Sequence, residues 1–281
     1  MDNTRTGAPG RLRPVIMIST AAINVVTLGA AGPAPGAADA AAVTDAAGFW
    51  DGALARLAAT APPDPRLLWP AAVVVFLAWV LPWLRRWSRA LTTLVHEAGH
   101  AAVGMLVGRR FHGFVVEGDL SGRAVTSGRS RGPGRCVTAW AGYPMPALVG
   151  AGAVLAALAG WAGTVLAAAL VVLAVLLVMS RSVRTAGLVT LCGAAVAALW
   201  WWGDADAAVP VRAGVVAGVG LLLVAGAWES LGDVARSRDG GADHRTLARL
   251  TPLPAGFWWA TWALVDAGVT WLVLRSAAEL W

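Results

Sequence analysis

Seven apolar runs, each about as long as a membrane's hydrocarbon core is thick, limit the folds open to this chain more than any other feature. A helix needs roughly 17 to 25 mostly apolar residues to cross a bilayer. The predicted spans are Leu67 to Leu84, Ala90 to Val107, Val137 to Ala159, Trp161 to Met179, Ala186 to Trp202, Val211 to Leu231, and Phe257 to Leu274. With only 14% charged residues, the chain also lacks the polar surface of an ordinary soluble domain. We therefore predict an all-α polytopic membrane protein with about seven transmembrane helices.

The net charge of +6 comes from arginine, because the sequence contains no lysine. The arginines are dispersed between the apolar runs, which argues against nucleic-acid binding and favours a role in orienting the chain in the lipid bilayer. If the loop of residues 108–136 is cytoplasmic, alternation of the spans puts the arginines of residues 181–184 and 236–249 on that side as well. Those of residues 85–89 then fall on the opposite side, against the positive-inside rule.

Residues 1–66 differ in composition from the membrane-embedded domain predicted for residues 67–281. Arg11 and Arg13 precede the apolar run Val15 to Ala31, and an Ala/Gly/Pro-rich stretch follows. This pattern is typical either of a signal anchor or of a disordered leader. The lack of lysine and the heavy use of Ala, Gly and Arg indicate a high-GC bacterial genome, so we expect a multi-pass protein of the bacterial plasma membrane.

The second apolar run carries a His-Glu-x-x-His motif made of His96, Glu97 and His100. Residues i and i+4 share one face of a helix, so the two imidazoles can converge on one metal ion. Zn²⁺ suits imidazole ligands, and a catalytic zinc keeps one position open for water. Glu97 would then take a proton from the water that attacks a peptide carbonyl. Because polar groups are costly inside a lipid-embedded helix, the motif indicates function more than structure.

The third metal ligand must come from elsewhere in the chain. The metzincin continuation needs glycine at position 103 and histidine at position 106, where this chain has Val103 and Leu106. The two cysteines, Cys136 and Cys192, have no CxxC spacing, so neither a thiolate zinc site nor a disulfide framework is indicated. The acidic candidates are Glu117, Asp119, Glu229, Asp233, Asp239, Asp243 and Asp266, and spacing alone does not choose among them.

Together with three later segments, the motif resembles the site-2 protease family of intramembrane zinc metallopeptidases, especially its compact bacterial branch. The resemblance extends from Leu67 to Leu274. The stretch Arg109 to Arg129 is similar to the family's hairpin after the metal-binding helix, which implies a short β-hairpin-like loop there. Ala139 to Gly150 is similar to the small-residue helix that packs beside the metal helix. Gly241 to Pro254 is similar to the segment in which an aspartate precedes a short helix and a Leu-Thr-x-x-Pro turn.

The resemblance implies that Asp243 is the third zinc ligand. The alternative is that Asp243 caps a helix that begins near His244. His112 and His244 are expected to be solvated loop residues, with His244 a minor ligand candidate.

The predicted function is therefore hydrolysis of peptide bonds in or near membrane-spanning segments of a membrane-protein substrate. Zn²⁺ would polarise the carbonyl, and Glu97 would act as general base and then as general acid. The Arg-rich loop from Arg109 to Arg135 is expected to contact lipid. Two alternatives stay open, namely a transporter or ion-relay bundle that uses the buried His/Glu cluster, and a catalytically silent scaffold of the same fold. The sequence does not identify a regulatory partner.

Overall fold

The computed structural model describes residues 48–64, 68–116, 122–180, 183–202, 208–236 and 242–279. Most of them are helical. In chain order the elements are α1 (48–57), α2 (Trp69–Val80), α3 (Pro82–Leu106), β1 (Arg110–Val116), β2 (Gly122–Ser127), α4 (Pro133–Trp140), α5 (Pro144–Leu158), α6 (Ala162–Val178), α7 (Val183–Trp201), α8 (Val209–Arg236), α9 (Asp243–Leu250) and α10 (Ala255–Ala278). The predicted leader segment at residues 1–47 lies outside the described residues.

Two of the described helices, α8 and α10, are long and apolar enough to cross a membrane on their own. Two bent pairs pass the same test when each pair is taken together. The axes of α2 and α3 differ by 105°, and those of α4 and α5 by 57°. By length and composition, the described residues therefore offer two to four spans, fewer than the seven predicted. The α6 helix and residues Ala186–Trp201 of α7 are apolar but shorter.

Proline accounts for the bend between α2 and α3, because its ring fixes φ and disfavours a helical conformation in the residue before it. Leu81, which precedes Pro82, is extended with ψ of 110°, so α2 ends there and α3 begins in a new direction. Pro144 begins α5 after a short turn. The predicted span Val137 to Ala159 is consequently divided between α4 and α5.

The α2 and α5 helices pack closely against α8, since glycines on α8 leave no side chain in the way. A Cβ atom at Gly214 would lie 2.9 Å from Cβ of Pro70, and one at Gly220 would lie 2.6 Å from the carbonyl oxygen of Gly150. The first approach is to the ring of Pro70 and the second is to the backbone of α5, and an alanine could make neither of them. The α8 helix therefore contacts both α2, which leads into α3, and α5, which follows α4.

The ion pairs of α8 show where α3 begins. Asp233 pairs with both Arg89 (2.5 Å) and Arg236 (3.6 Å), and Glu229 pairs with Arg85 (3.3 Å). Arg85 and Arg89 therefore lie at the same end of α8 as Arg236. The expectation that they lie on the opposite side is wrong, because the bend between α2 and α3 turns the chain across that end of α8 and not along it.

The hairpin stretch after α3 forms two strands. β1 and β2 pair antiparallel, with Arg110 opposite Ser127 and Val116 opposite Gly122. An irregularity in the register lies between Phe111 and Gly113. Because Arg110 pairs with Ser127, the end of α3 and the start of α4 lie close together.

The first described helix, α1, and the residues after it contact the end of α7 and the turn between α5 and α6. The ring of Phe49 stacks on Trp201 at 5.0 Å, and the Arg56 guanidinium lies 4.5 Å above the same indole. The N–H of Thr60 donates to the carbonyl of Gly160. Part of the predicted leader thus contacts the helical bundle.

Candidate metal centre

The α3 helix places two imidazoles one turn apart on the same face. The Nε2 atoms of His96 and His100 are 3.1 Å apart, and the ring planes are nearly perpendicular. Glu97 follows His96 on the same turn and is partly buried. The i, i+4 spacing alone produces this convergence, because a helix stacks such residues on one another.

The α9 helix brings a carboxylate to these two rings. Asp243 is the first residue of α9, and its Oδ2 lies 3.1 Å from Nε2 of His100 and 3.4 Å from Nε2 of His96. The N-cap of α9 is Ala242, and no side chain caps the helix. The carboxylate of Asp243 is therefore directed to the histidines. It does not cap α9, so the alternative of a capping role is wrong.

The environment of Asp243 favours its ionised form. Burial by itself disfavours the charge, but the neighbouring imidazoles of His100 and His96 outweigh burial and hold the pKa of this carboxyl below its usual range. Asp243 is thus a carboxylate at neutral pH. That is the form in which it can bind a cation.

The three side chains fit a zinc ion. The ligand atoms of His96, His100 and Asp243 lie within 4.8 Å of one another, and the Nε2 and Oδ2 atoms are 3.1 to 3.4 Å apart. Ligands about 2.0 to 2.1 Å from a tetrahedral zinc are roughly 3.3 Å from each other. The triangle therefore has the dimensions of three corners of a zinc tetrahedron, with the fourth corner left for water or substrate.

The second nitrogen of His100 supports the same interpretation. Its Nδ1 lies 2.7 Å from the carbonyl oxygen of Thr138, and because a carbonyl can only accept, Nδ1 donates its N–H there. In the neutral ring, Nε2 then carries a lone pair that faces the carboxylate of Asp243. Such backbone partners commonly fix the tautomer of a metal-binding histidine. The resulting group of acceptors is one that a cation would satisfy.

Gly142 leaves the space beside the imidazoles open. A Cβ atom at this position would lie 2.5 Å from Nε2 of His100 and 2.7 Å from Cε1 of His96. Any side chain here would push against the ligand atoms themselves. The turn between α4 and α5 therefore has to contain glycine for the cluster to keep this geometry.

An aromatic stack supports His96 from the other direction. The ring of Tyr143 meets His96 edge-on at 4.6 Å and lies parallel to the indole of Trp262 at 4.3 Å. Trp262 is fully buried, and its Nε1–H donates to the carbonyl of Trp140 at 2.9 Å. The α10 helix is thus tied to the turn that holds Tyr143 against the cluster.

Gly142, Tyr143 and Trp262 were not among the predicted site residues. The sequence did carry a signal for two of them, since Gly142 and Tyr143 lie in the segment expected to pack beside the metal helix, and Tyr143 is the chain's one tyrosine. Thr138 contributes its backbone carbonyl, for which no residue type gives a signal. Trp262 is one of sixteen tryptophans, so its residue type alone gives no signal.

The other acidic candidates do not join the cluster. Glu229 and Asp233 are paired with arginines, as described above. Asp266 is fully buried on α10, and neither of its carboxylate oxygens has a hydrogen-bond partner among the described residues. Glu117, Asp119 and Asp239 lie outside the described residues.

The two remaining histidines differ from each other. His112 is exposed on β1, with its Nε2 2.5 Å from Oγ of Ser127. His244 was expected in a solvated loop, and this is wrong, because it lies on α9 with 8% of its surface exposed. Its pKa is lowered by burial and by the neighbouring charge of Arg245. The amphipathic character of this short helix, which turns His244 and Leu247 inward, explains the difference.

A comparison with protein families finds one match in this region. A family model described as Peptidase M50B-like matches residues 69–273. The matched stretch contains both histidines of α3, Glu97 and Asp243. No curated protein and no solved structure matches the chain.

Proposed function

The chain belongs to the peptidase M50B-like family, in agreement with its resemblance to site-2 proteases, and we propose that it is an intramembrane zinc metalloprotease. Its substrates are membrane proteins, cleaved in or near their transmembrane segments. The observation that carries the proposal is the convergence of His96, His100 and Asp243 next to Glu97.

The proposed setting is a bacterial plasma membrane crossed by about seven helices. The support for this is the apolar character of α6, α7, α8 and α10 and of the two bent pairs. Broken helices are tolerated at membrane depth where they are buried in protein or line a polar cavity. The turn before Pro144 holds Gly142 and Tyr143 against the metal cluster, so this break occurs where a polar site needs it.

His96, His100 and Asp243 would hold the zinc ion. When bound, zinc lowers the pKa of a water molecule to about 7 and polarises the carbonyl of the scissile bond. Thr138 keeps His100 in the tautomer that leaves Nε2 free to bind, and Gly142 keeps the open side clear. Together these residues prepare a site for hydrolysis of an amide.

Glu97 supplies the proton chemistry. As general base it takes a proton from the attacking water, and as general acid it passes that proton to the nitrogen of the leaving amine. The new C–O bond forms first, and the peptide C–N bond breaks once its nitrogen has received the proton, so a carboxylate and an amine result. No other acidic side chain of the described residues lies on the same turn as the two histidines.

The test combines zinc content with proteolysis by the purified protein in detergent. Wild type and Glu97→Gln are expected to hold about one zinc, whereas His96→Ala, His100→Ala and Asp243→Ala lose it. Matched controls are available in His112→Ala, an exposed histidine, and Asp233→Ala, an aspartate outside the cluster. Both controls are expected to keep their zinc.

The activity of these variants separates the protease from its alternatives. Cleavage of a transmembrane peptide by wild type and its loss in Glu97→Gln with zinc retained would support hydrolysis. Zinc binding without cleavage of any membrane peptide would favour the silent scaffold. Absence of zinc from the wild type even after reconstitution would overturn the proposal and favour an ion relay.

A further inference from the structure

A cavity of about 350 Å³ lies between α3 and α8, next to the metal cluster. It is bordered by Tyr143, whose ring contacts His96, and by Ala242, which precedes Asp243. Val234 contributes one apolar side chain, and the polar side chains of α3 and α8 that line the cavity are Arg89, Thr92, Thr93, Glu229, Ser230 and Asp233. The cavity lining is therefore mostly polar. Two of its lining residues, Tyr143 and Ala242, also lie next to the metal cluster.

The threonine and serine hydroxyls of the cavity already use their hydrogens. Thr92 donates to Ser88 O at 3.0 Å, Thr93 to Arg89 O at 3.1 Å, and Ser230 to Gly226 O at 2.8 Å. Each hydroxyl oxygen keeps lone pairs after donating. These residues can therefore meet a ligand as hydrogen-bond acceptors.

The two carboxylates of the cavity lining are further hydrogen-bond acceptors. Glu229 and Asp233 form their ion pairs and remain 43% and 53% exposed, and an ionised carboxylate offers about four lone-pair positions. Arg89 brings N–H donors to the lining, and one of them is taken by Asp233. The lone pairs of the two carboxylates and three hydroxyls outnumber the donors that remain. The cavity is thus rich in acceptors, and the ligand that it suits is a group of N–H donors.

Peptide hydrolysis in a membrane creates such donors. A helix hides its peptide bonds, so a membrane-spanning substrate must unwind around the bond that is cut. Unwinding frees backbone N–H groups that have no water to bind in lipid, which is costly. A set of acceptors beside the cluster would satisfy them.

We infer that this cavity receives backbone N–H groups of the substrate segment that unwinds beside the scissile bond. The inference rests on the proposed protease function and assigns it a substrate-binding site. Thr93 and Ser230 are the acceptors that can be altered with the smallest change in volume. Their oxygens take the place of the helix carbonyls that the unwound N–H groups have lost.

The test pairs a protein variant with a change in the substrate. The probe is a synthetic single-span peptide that the wild type cleaves in phosphatidylcholine vesicles, together with versions in which one amide near the cleaved bond is replaced by an ester. An ester has no N–H and leaves the side chains in place. The protein variant is Thr93→Val with Ser230→Ala, and its matched control is Ser180→Ala, whose hydroxyl donates to Leu176 O in the same way but lies outside the cavity.

At the contacted position, the ester is expected to lower kcat/KM of the wild type and of Ser180→Ala by about tenfold. In the double variant the same ester should lower it by less than about twofold, because the acceptors have already been removed. Should the double variant fail to fold, Thr93→Val and Ser230→Ala are measured singly, with the same non-additivity expected at smaller size.

Four results would count against the inference. Additive losses, or no loss at any ester position, would overturn it while cleavage by the wild type leaves the proposed function in place. A loss on replacing lysine and arginine of the peptide by glutamine, with no effect of the esters, would show that the cavity binds basic side chains instead of the backbone. Failure of the wild type to cleave any peptide would remove the proposed function and this inference together.

Discussion

Two glycines, one just before α5 and one within it, each leave space for a different neighbour. Gly142, just before α5, leaves space beside the imidazoles of His96 and His100. Gly150, in the middle of α5, leaves space for the backbone of α8 at Gly220. The first glycine leaves space in a polar site, and the second allows two apolar helices to pack closely. The comparison shows that one small residue type serves function at one position and packing two turns later.

The surroundings explain the difference. Around Gly150 the neighbouring positions of α5 are small and buried, with Ala147 and Ala151 almost fully enclosed. Around Gly142 the neighbours are imidazoles, a carboxylate and a phenol, which are partly exposed. A methyl group added at Gly142 would disturb ligand atoms, whereas one added at Gly150 or Gly220 would separate two helices.

The largest effect is expected for Gly142→Ala. The new Cβ would collide with both imidazoles, so the affinity for zinc should fall by at least about 100-fold, while the helical bundle stays folded. Zinc titration with a competing chelator measures the first quantity, and circular dichroism the second. Gly134→Ala is the control, because its Cβ would come no closer than 3.4 Å to Val107. Normal zinc affinity in Gly142→Ala would show that the turn is free to move away.

Gly220→Ala should lower the free energy of unfolding and leave the affinity for zinc unchanged. The added Cβ would meet the carbonyl of Gly150 at 2.6 Å, and such overpacking costs about 1 to 3 kcal/mol in the free energy of unfolding. Gly152→Ala on α5 is the control, since nothing lies within 4 Å of that position. Unfolding by titration with a denaturing detergent measures both variants. An unchanged stability of Gly220→Ala would mean that the α5 and α8 backbones are not held at this distance.

Trp262→Phe should have a smaller effect on both zinc affinity and the free energy of unfolding. It leaves the buried carbonyl of Trp140 without its 2.9 Å hydrogen bond, which costs about 1 to 2 kcal/mol. The weaker support of Tyr143 should also lower zinc affinity a few-fold. The control is Trp271→Phe, an exposed tryptophan on the same helix. Equal effects of the two substitutions would argue that α10 does not support the site.

The smallest effect is expected for the ion pair between Arg85 and Glu229. Both side chains are about half exposed, and the coupling energy of such a pair is below about 1 kcal/mol. A double-mutant cycle with Arg85→Gln and Glu229→Gln measures it in detergent. A coupling of several kcal/mol would show that the pair is desolvated in the folded protein and holds α3 to α8 more strongly than its exposure indicates.

The two histidines could be predicted from the sequence because helix geometry alone brings them together. Asp243 could not be chosen that way, since 143 residues separate it from His100 and seven acidic residues were equally compatible with the spacing. The resemblance to site-2 proteases pointed to it, and the structure brings its carboxylate to the histidines. The side on which Arg85 and Arg89 lie was predicted wrongly, because counting spans assumes that each apolar run crosses the membrane.

What the sequence by itself determined are the features that depend on near neighbours along the chain. These are the apolar runs, the helical faces they form, and the pairing of His96 with His100 beside Glu97. Only the tertiary structure decided the third carboxylate, the carbonyl partner of His100, the need for glycine at position 142 and the bend that turns α3 across the end of α8. The physical reason is that these features arise where distant segments pack together, and packing depends on the shapes of both surfaces at once.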